Sequence, residues 1–487
     1  MIALHWFRRD LRLEGNFAFS QAFKKSNGNI CGIFIFDSTF LSRADFSANR
    51  FHFFLMSLVE LKKSLRLIGS DLLIFDEGPS ITWEKIFEKS SKKEIEIFAN
   101  EDYEPFAIER DKKIKLLIEN KGSHIHFFKD HLVIHPNDLH KSDLELSGYQ
   151  VYTPFAKKWR EIFKKKLLVF GEDNLKKTLK FNYGSNQGKI TWDYYENYKN
   201  QTDKILNQFF AENNKNKTLP DSIYPIAGFI AARQCCEEFK KNIENYEIDR
   251  DIPSLSGTSQ LSIYLKNGSI TTLQVIAILD LFNLAHLPKL KSSCDKFLSE
   301  LIWREFYYHI IFRNQRVENE SFLLKFKELK WQNNEKFFEA WKNGMTGFPV
   351  IDAGMRQLNQ TGWMHNRVRM IVASFLTKDL LINWQWGERY FMKMLLDGDL
   401  ASNNGGWQWA ASTGCDPQPY FRIFNPWLQS KRFDPNGIYI KKFIPELKDV
   451  ADAELHKPQS TRLGNYPLPI VDHDVQRLKA LDLYKSN

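Results

Sequence analysis

The sequence predicts an α/β N-terminal domain with a doubly wound parallel sheet, followed by a C-terminal domain that is all α. Three observations predict this. The chain's 487 residues exceed the length at which a single hydrophobic core stops growing. Its first 135 or so residues alternate short apolar, β-branched runs with amphipathic stretches, the pattern of strand–helix–strand units. From Pro225 onward such runs give way to long stretches of helical period.

The strand candidates are 2–7, 30–36, 71–75, 95–98 and 124–128, each short, apolar and rich in Ile and Phe. Asn- and Lys-rich stretches at 182–189 and 213–217 read as linker and loop. Pro225 suits the first turn of a helix reaching about Tyr246, and amphipathic patterns recur at 273–284, 294–312 and 365–381. The expected organisation is therefore 1–135, an α/β domain; 136–222, an interdomain linker; and 223–487, a helical domain.

Composition narrows the class. Hydrophobic residues make up 43% and charged residues 26%, and no run of 18 apolar residues occurs, so a folded core is expected and a membrane span is not. The N-terminus lacks the basic and apolar regions of a secretory signal. Five cysteines, odd in number and without a C-x-x-C pair, suit a reducing compartment, so the cytoplasm is expected. A net charge of +9 favours a polyanionic partner.

Several common chemistries are missing. No G-x-G-x-x-G follows the first strand, and Gly188-Lys189 is followed by Ile190 rather than a hydroxyl residue, so neither a dinucleotide fingerprint nor a P-loop is present. His131, His135 and His140 have no cysteine or carboxylate at a familiar ligand spacing, and no metal is expected.

Four constellations remain. Thr258, Ser259, Gln260, Leu261 and Ser262 put hydroxyls beside Gly257 before an apolar run, which suits either a phosphate site or an ordinary helix cap. Glu300, Trp303, Arg304 and Tyr307 fall at i, i+3, i+4 and i+7, so an acid, an indole and a guanidinium share one helical face. That face suits a base-stacking wall, or a surface ion pair beside a core Trp. Asn366 and Met370 lie four residues apart with Arg369 nearby. The stretch 397–409 combines Asp397, Gly398, Asp399, Asn403, Asn404, two further glycines, Trp407 and Trp409; its spacing misses the EF-hand pattern and suits a polar planar ligand.

On the motifs 6–13, 301–307, 365–370 and 397–409, the chain resembles the photolyase/cryptochrome family, and most closely its bacterial class I members that act on cyclobutane pyrimidine dimers. The resemblance runs to about 447. It implies that the helical domain holds FAD, with Tyr246, Thr258, Ser259, Gln260, Leu261, Ser262, Arg369, Asp397, Gly398, Asp399 and Asn403 as its binding residues and Arg369 paired with Asp397. Asn403 would face the reactive flavin nitrogen. Trp407, Trp384 and Trp331 would carry electrons from the surface to the flavin. Glu300, Trp303, Asn366, Met370 and Trp409 would receive the flipped dimer, and Arg250, Arg367 and Gln429 would contact DNA. Asn403 and Glu300 would be the catalytic residues of the light-driven repair, UV-damaged DNA the partner, and the chain a monomer. A cryptochrome that senses blue light without repair is the alternative within the family; a flavin-free DNA-binding module is the alternative outside it. Two departures stand out: Gln260 replaces Arg and Phe297 replaces Trp of close relatives. An antenna of methenyltetrahydrofolate is expected on a shifted match of Glu109, because Phe106-Ala107 occupies the position of the relatives' Asn-Glu pair; a deazaflavin or no antenna are the alternatives.

Overall fold

A computed structural model of the chain describes residues 1–90, 95–140, 148–181, 188–281 and 287–486. The residues gather into two compact units that do not divide the chain at one point. One comprises 1–148, 156–241 and 259–287; the other comprises 149–155, 242–258 and 288–487.

The first unit is built on β1 (Ile2–Phe7), β2 (Ile30–Ile35), β3 (Leu72–Phe75), β4 (Ile95–Asn100) and β5 (Ile125–Phe128). They form one sheet in the order β3-β2-β1-β4-β5, with every pair parallel. Alternate residues of a strand point to opposite faces. Ala3 and Phe7 therefore pack with Phe19 of α1 (Phe17–Lys25) and Leu55 and Leu58 of α2 (Ala48–Leu67). Ile2, Leu4 and Trp6 pack on the other face with Trp83 of α3 (Pro79–Glu88) and Ile114 of α4 (Pro105–Asn120). All six residues of β1 are buried, as a doubly covered parallel strand requires. The expected sheet is thus present, with strand ends shifted by one or two residues.

Some expectations need correction. Residues 213–216 are not loop but the end of α5 (Asp193–Asn216), which buries Thr202, Ile205 and Leu206. The Thr202 hydroxyl accepts the Ile74 N–H at 3.2 Å, satisfying a donor on the edge strand β3. Burial of this face outweighs the modest helix propensity of its many Asn residues. Residues 182–187 of the other Asn-rich stretch lie outside the described residues, as do 282–286 of the expected helix 273–284, which runs over Thr272–Leu279. Pro225 does not open a helix either. The helix is Phe229–Lys240, set by Gly228 at its N-cap with φ 92°, a conformation only glycine adopts readily.

In the second unit the described residues form helices and no strand. Those that bear on function are α6 (Lys291–Arg313), α7 (Asn366–Ser374), α8 (Trp384–Met394), α9 (Leu400–Ala410) and α10 (His473–Lys485). The expected single helix 365–381 ends its α geometry at Ser374 and continues as a π-helical turn, Phe375–Asp379. Val368, Ile371, Leu376, Trp384, Phe391 and Trp407 form the core between these helices. Among the described residues no helix is long and apolar enough to cross a membrane.

Candidate active site

Helix α6 supplies one wall. A short helix, Tyr246–Asp249, is fixed to it because the Ser293 hydroxyl accepts the Glu247 N–H at 3.1 Å and donates to the Glu244 carbonyl at 2.8 Å. Tyr246 is buried edge-on against Phe297, with ring centroids 5.2 Å apart, and burial pushes its phenol pKa up. The Arg250 guanidinium lies 5.4 Å from the Tyr246 ring and donates to Glu300 Oε1 at 2.6 Å. Trp303, one turn on from Glu300, is half-buried. One face of its ring is stacked on Tyr152 at 3.7 Å and 4°. Tyr152 is itself pinned, its N–H donating to Asp416 at 3.0 Å and its hydroxyl to the Ser299 carbonyl at 2.9 Å. Of the two readings of the α6 face, neither is pure: Glu300 is ion-paired, yet Trp303 is not a core residue.

Helix α7 faces the same cluster. Asp251 Oδ1 accepts from Arg367 Nη2 at 2.8 Å and lies 3.7 Å from Arg250 Nε, so one carboxylate oxygen stands between two guanidiniums. His365 caps α7, its Nδ1 accepting the Arg367 N–H at 3.2 Å, while its buried Nε2 has no partner. Burial, with Arg367, Arg369 and Arg250 adding to it and Asp251 opposing, pushes the His365 pKa down to about 4. The imidazole is therefore neutral at pH 7. The Arg367 guanidinium lies 4.5 Å from the Phe433 ring, and its Nη1 lies 3.8 Å from Met370 Sδ. Gln429 stands four residues before Phe433 on the helix Pro426–Phe433, hence on the face that meets Arg367. Asn366 is exposed and Met370 half-buried.

The loop before α9 and its first turns supply the rest. Arg369 Nη2 donates to both oxygens of Asp397, at 3.1 and 2.9 Å, so this expected pair is present. Asp399 caps α9 by accepting the Ser402 N–H at 3.1 Å and also accepts from the Tyr308 hydroxyl. Gly398, between the two acids, donates its N–H to the Leu395 carbonyl. Asn404 is buried and spends its amide on the Val317 carbonyl at 2.9 Å and Glu388 Oε1 at 3.0 Å. Asn403 differs: its Nδ2 donates to the Glu388 carbonyl at 3.0 Å, which fixes the amide while its Oδ1 stays available. Gly405 lets Tyr307 approach, since a Cβ there would stand 2.1 Å from that ring. At Gly406, by contrast, a Cβ would meet nothing within 4 Å, although the residue is half-buried. Asp399, Asn403 and Gly406 share a helical face, so a fixed amide borders open space in a partly enclosed site. That arrangement fits a polar planar ligand.

Trp407 is buried on α9 and packs across α8, 5.0 Å edge-on from Phe391 and 6.0 Å from Trp341. Trp384 is buried in the same core. Trp331 is half-buried, 6.1 Å edge-on from Tyr484 of α10. Trp331 and Trp409, the latter half-buried on α9, pack against the same core as Trp384 and Trp407. Thr258 belongs to this unit; Ser259, Gln260, Leu261 and Ser262 belong to the other. Leu261 is the N-cap of the helix Ser262–Asn267 and no side chain caps it, which removes the helix-cap reading of this hydroxyl cluster. Tyr152, Asp251, Glu388 and Tyr308 escaped the sequence reading. Only Asp251 carried a signal there, as the acid beside Arg250. Among the described residues no group of His, Cys, Asp and Glu is arranged to hold a metal.

The sequence profile described as the FAD binding domain of DNA photolyase matches residues 297–486, and that described as DNA photolyase matches residues 3–173. The deoxyribodipyrimidine photo-lyase of Vibrio cholerae is 36% identical, with 99% of each chain covered, and that of Escherichia coli is 33% identical over 99% of this chain and 98% of its own. The chain belongs to the DNA photolyase family. It is an enzyme of that family, and FAD is its cofactor. Among solved structures, an archaeal photolyase from Sulfolobus tokodaii with two FAD molecules matches with a TM-score of 0.81 and 32% identity over the whole of both chains. A cryptochrome from Synechocystis, 24% identical with a TM-score of 0.81 over 99% of each chain, shares the fold. The family's FAD-binding profile begins after Tyr246, Arg250 and Thr258 through Ser262.

Proposed function

We propose that this photolyase repairs cyclobutane pyrimidine dimers in DNA under blue light. The observation that supports it most directly is the site around Asn403: a neutral amide held by Glu388 beside open space, with two acids paired or capping at its margin and a half-buried indole, Trp303, on the neighbouring helix. Reduced FAD, when bound, supplies an electron on excitation. The chain's own residues position the reactants and exclude water. Asp397 would be held by Arg369 to meet the cofactor, with Asp399, Gly398 and Tyr246 alongside and Thr258 through Ser262 toward its diphosphate. A neutral amide at Asn403 adds no charge of its own near a reduced flavin. Trp407, Trp384 and Trp331 would resupply electrons. Trp303 and Trp409 would wall the extruded dimer, and Glu300 would accept from a base edge. Arg250, Arg367 and Gln429 would hold the strand. The division into 1–135, 136–222 and 223–487 is proposed on the change of texture along the sequence alone.

The choice of lesion rests on the absence of an acid. Repair of a (6-4) photoproduct needs a proton as well as an electron. Asn366 and Met370 carry no acid proton near neutral pH, and their neighbour His365 is buried, uses Nδ1 as a helix cap and has its pKa pushed down to about 4. Two oligonucleotides, one with each lesion, test this. The expected outcome is light-dependent loss of the cyclobutane dimer only; efficient (6-4) repair would refute the reading.

A further inference from the structure

The Arg250, Asp251, Glu300 and Arg367 cluster is electrically balanced. Two guanidiniums face two carboxylates, Arg250 on Glu300 at 2.6 Å and Arg367 on Asp251 at 2.8 Å. Arg369 adds no free charge because Asp397 takes it up. Both carboxylates are one-third exposed, and both arginines are more buried than their partners. Incoming phosphate therefore meets guanidiniums whose charge an acid already offsets. Asp251 also does something Glu300 does not. A single oxygen of it stands 2.8 Å from one guanidinium and 3.7 Å from the other, which fixes their separation. Beside them lie a buried Arg367 Nε and a buried His365 Nε2, both without partners.

We infer that Asp251 is a specificity-determining residue, which restrains binding to undamaged DNA while holding Arg250 and Arg367 at the spacing that a lesion-bearing strand requires. The inference rests on the DNA-binding reading of this face given above. Its two effects act on different complexes. Undamaged duplex binds through charge alone, needs no fixed geometry, and is opposed by the Asp251 carboxylate. The lesion complex needs both guanidiniums in place, because phosphate contacts set the register in which the extruded bases meet Glu300 and Trp303. Neutralising Asp251 should thus help the first complex and disorganise the second.

The test measures affinity for a duplex with one thymine dimer and for the same duplex undamaged, in the dark, over a range of salt. Asp251→Asn should raise affinity for undamaged DNA about five-fold, the scale of one partly exposed ion pair. It should steepen the salt slope by up to about 0.9 per phosphate newly engaged. Affinity for the dimer should not rise with it, so discrimination falls. Asp251→Glu, which keeps the charge, should recover most of the discrimination. Flavin absorbance per protein reports whether each variant is folded. Equal gains on both DNAs, equal losses on both, or no change would each overturn the inference. Arg367→Ala separates the two claims: if it leaves binding and salt slope unaltered, this face does not bind DNA, and the functional reading fails rather than the role of Asp251.

Discussion

Arginine–carboxylate pairs occur in both units, and their surroundings differ. In the N-terminal unit Arg12 and Asp130 are 1% and 6% exposed, and Arg12 also donates to the carbonyls of Glu14, Gly15 and Gly268. Nearby, Arg8 is paired with Asp111 and lies 4.5 Å from the Trp6 ring. These pairs stand past the carboxyl ends of β1 and β4, where the strand order reverses, the usual ligand crevice of such sheets. Arg8, Asp10, Asn100 and Asp130 line a crevice of about 10 Å³, enough for a water and no more. In the C-terminal unit the carboxylates of the Arg250–Glu300 and Arg367–Asp251 pairs are each 33% exposed. The same chemistry thus acts as a brace where solvent is excluded and as an exchangeable contact where one partner reaches water.

The largest expected effect tests the brace. Arg12→Met leaves Asp130 buried and unpaired, and should cost about 3–5 kcal/mol of stability in denaturant unfolding. Arg250→Met, which leaves a solvated acid, should cost no more than about 1 kcal/mol. Similar costs would erase the distinction between the two regions.

A smaller effect sharpens it through pH. His365 has its pKa pushed from 6.5 to about 4 in the folded chain, mainly by burial. Between those values the unfolded chain binds a proton that the folded chain does not, so stability rises with pH. Relative to His365→Asn, the wild type should gain stability as pH rises from about 4 to about 6.5, by less than about 3 kcal/mol, and then level off. A flat difference across that range would mean that His365 is hydrated and that the cluster is more open than its burial indicates.

How much was legible in the sequence depended on the distance over which a signal acts. The sheet was readable because a parallel strand covered on both faces is a continuous apolar run, as in β1 and β2. The α6 and α9 faces were readable because helical spacing is local. The pairings that give those faces their character were not. Arg250 meets Glu300 across 50 residues and Arg367 meets Asp251 across 116, and nothing in either local pattern encodes the encounter. Tyr152 escaped for the same reason, lying in a stretch assigned to a linker. The end of α5 was misread because its Asn and Lys content masks a buried face that only the sheet edge makes useful.

The central claim is that the site around Asn403 serves light-driven repair and not light sensing alone. With the flavin chemically reduced, the protein is mixed with an oligonucleotide carrying a single thymine dimer, and restored thymines are counted after blue light and after an equal time in darkness. The account predicts restoration in the light and none in the dark. Tight binding of the dimer with no thymine restored in either condition would contradict it.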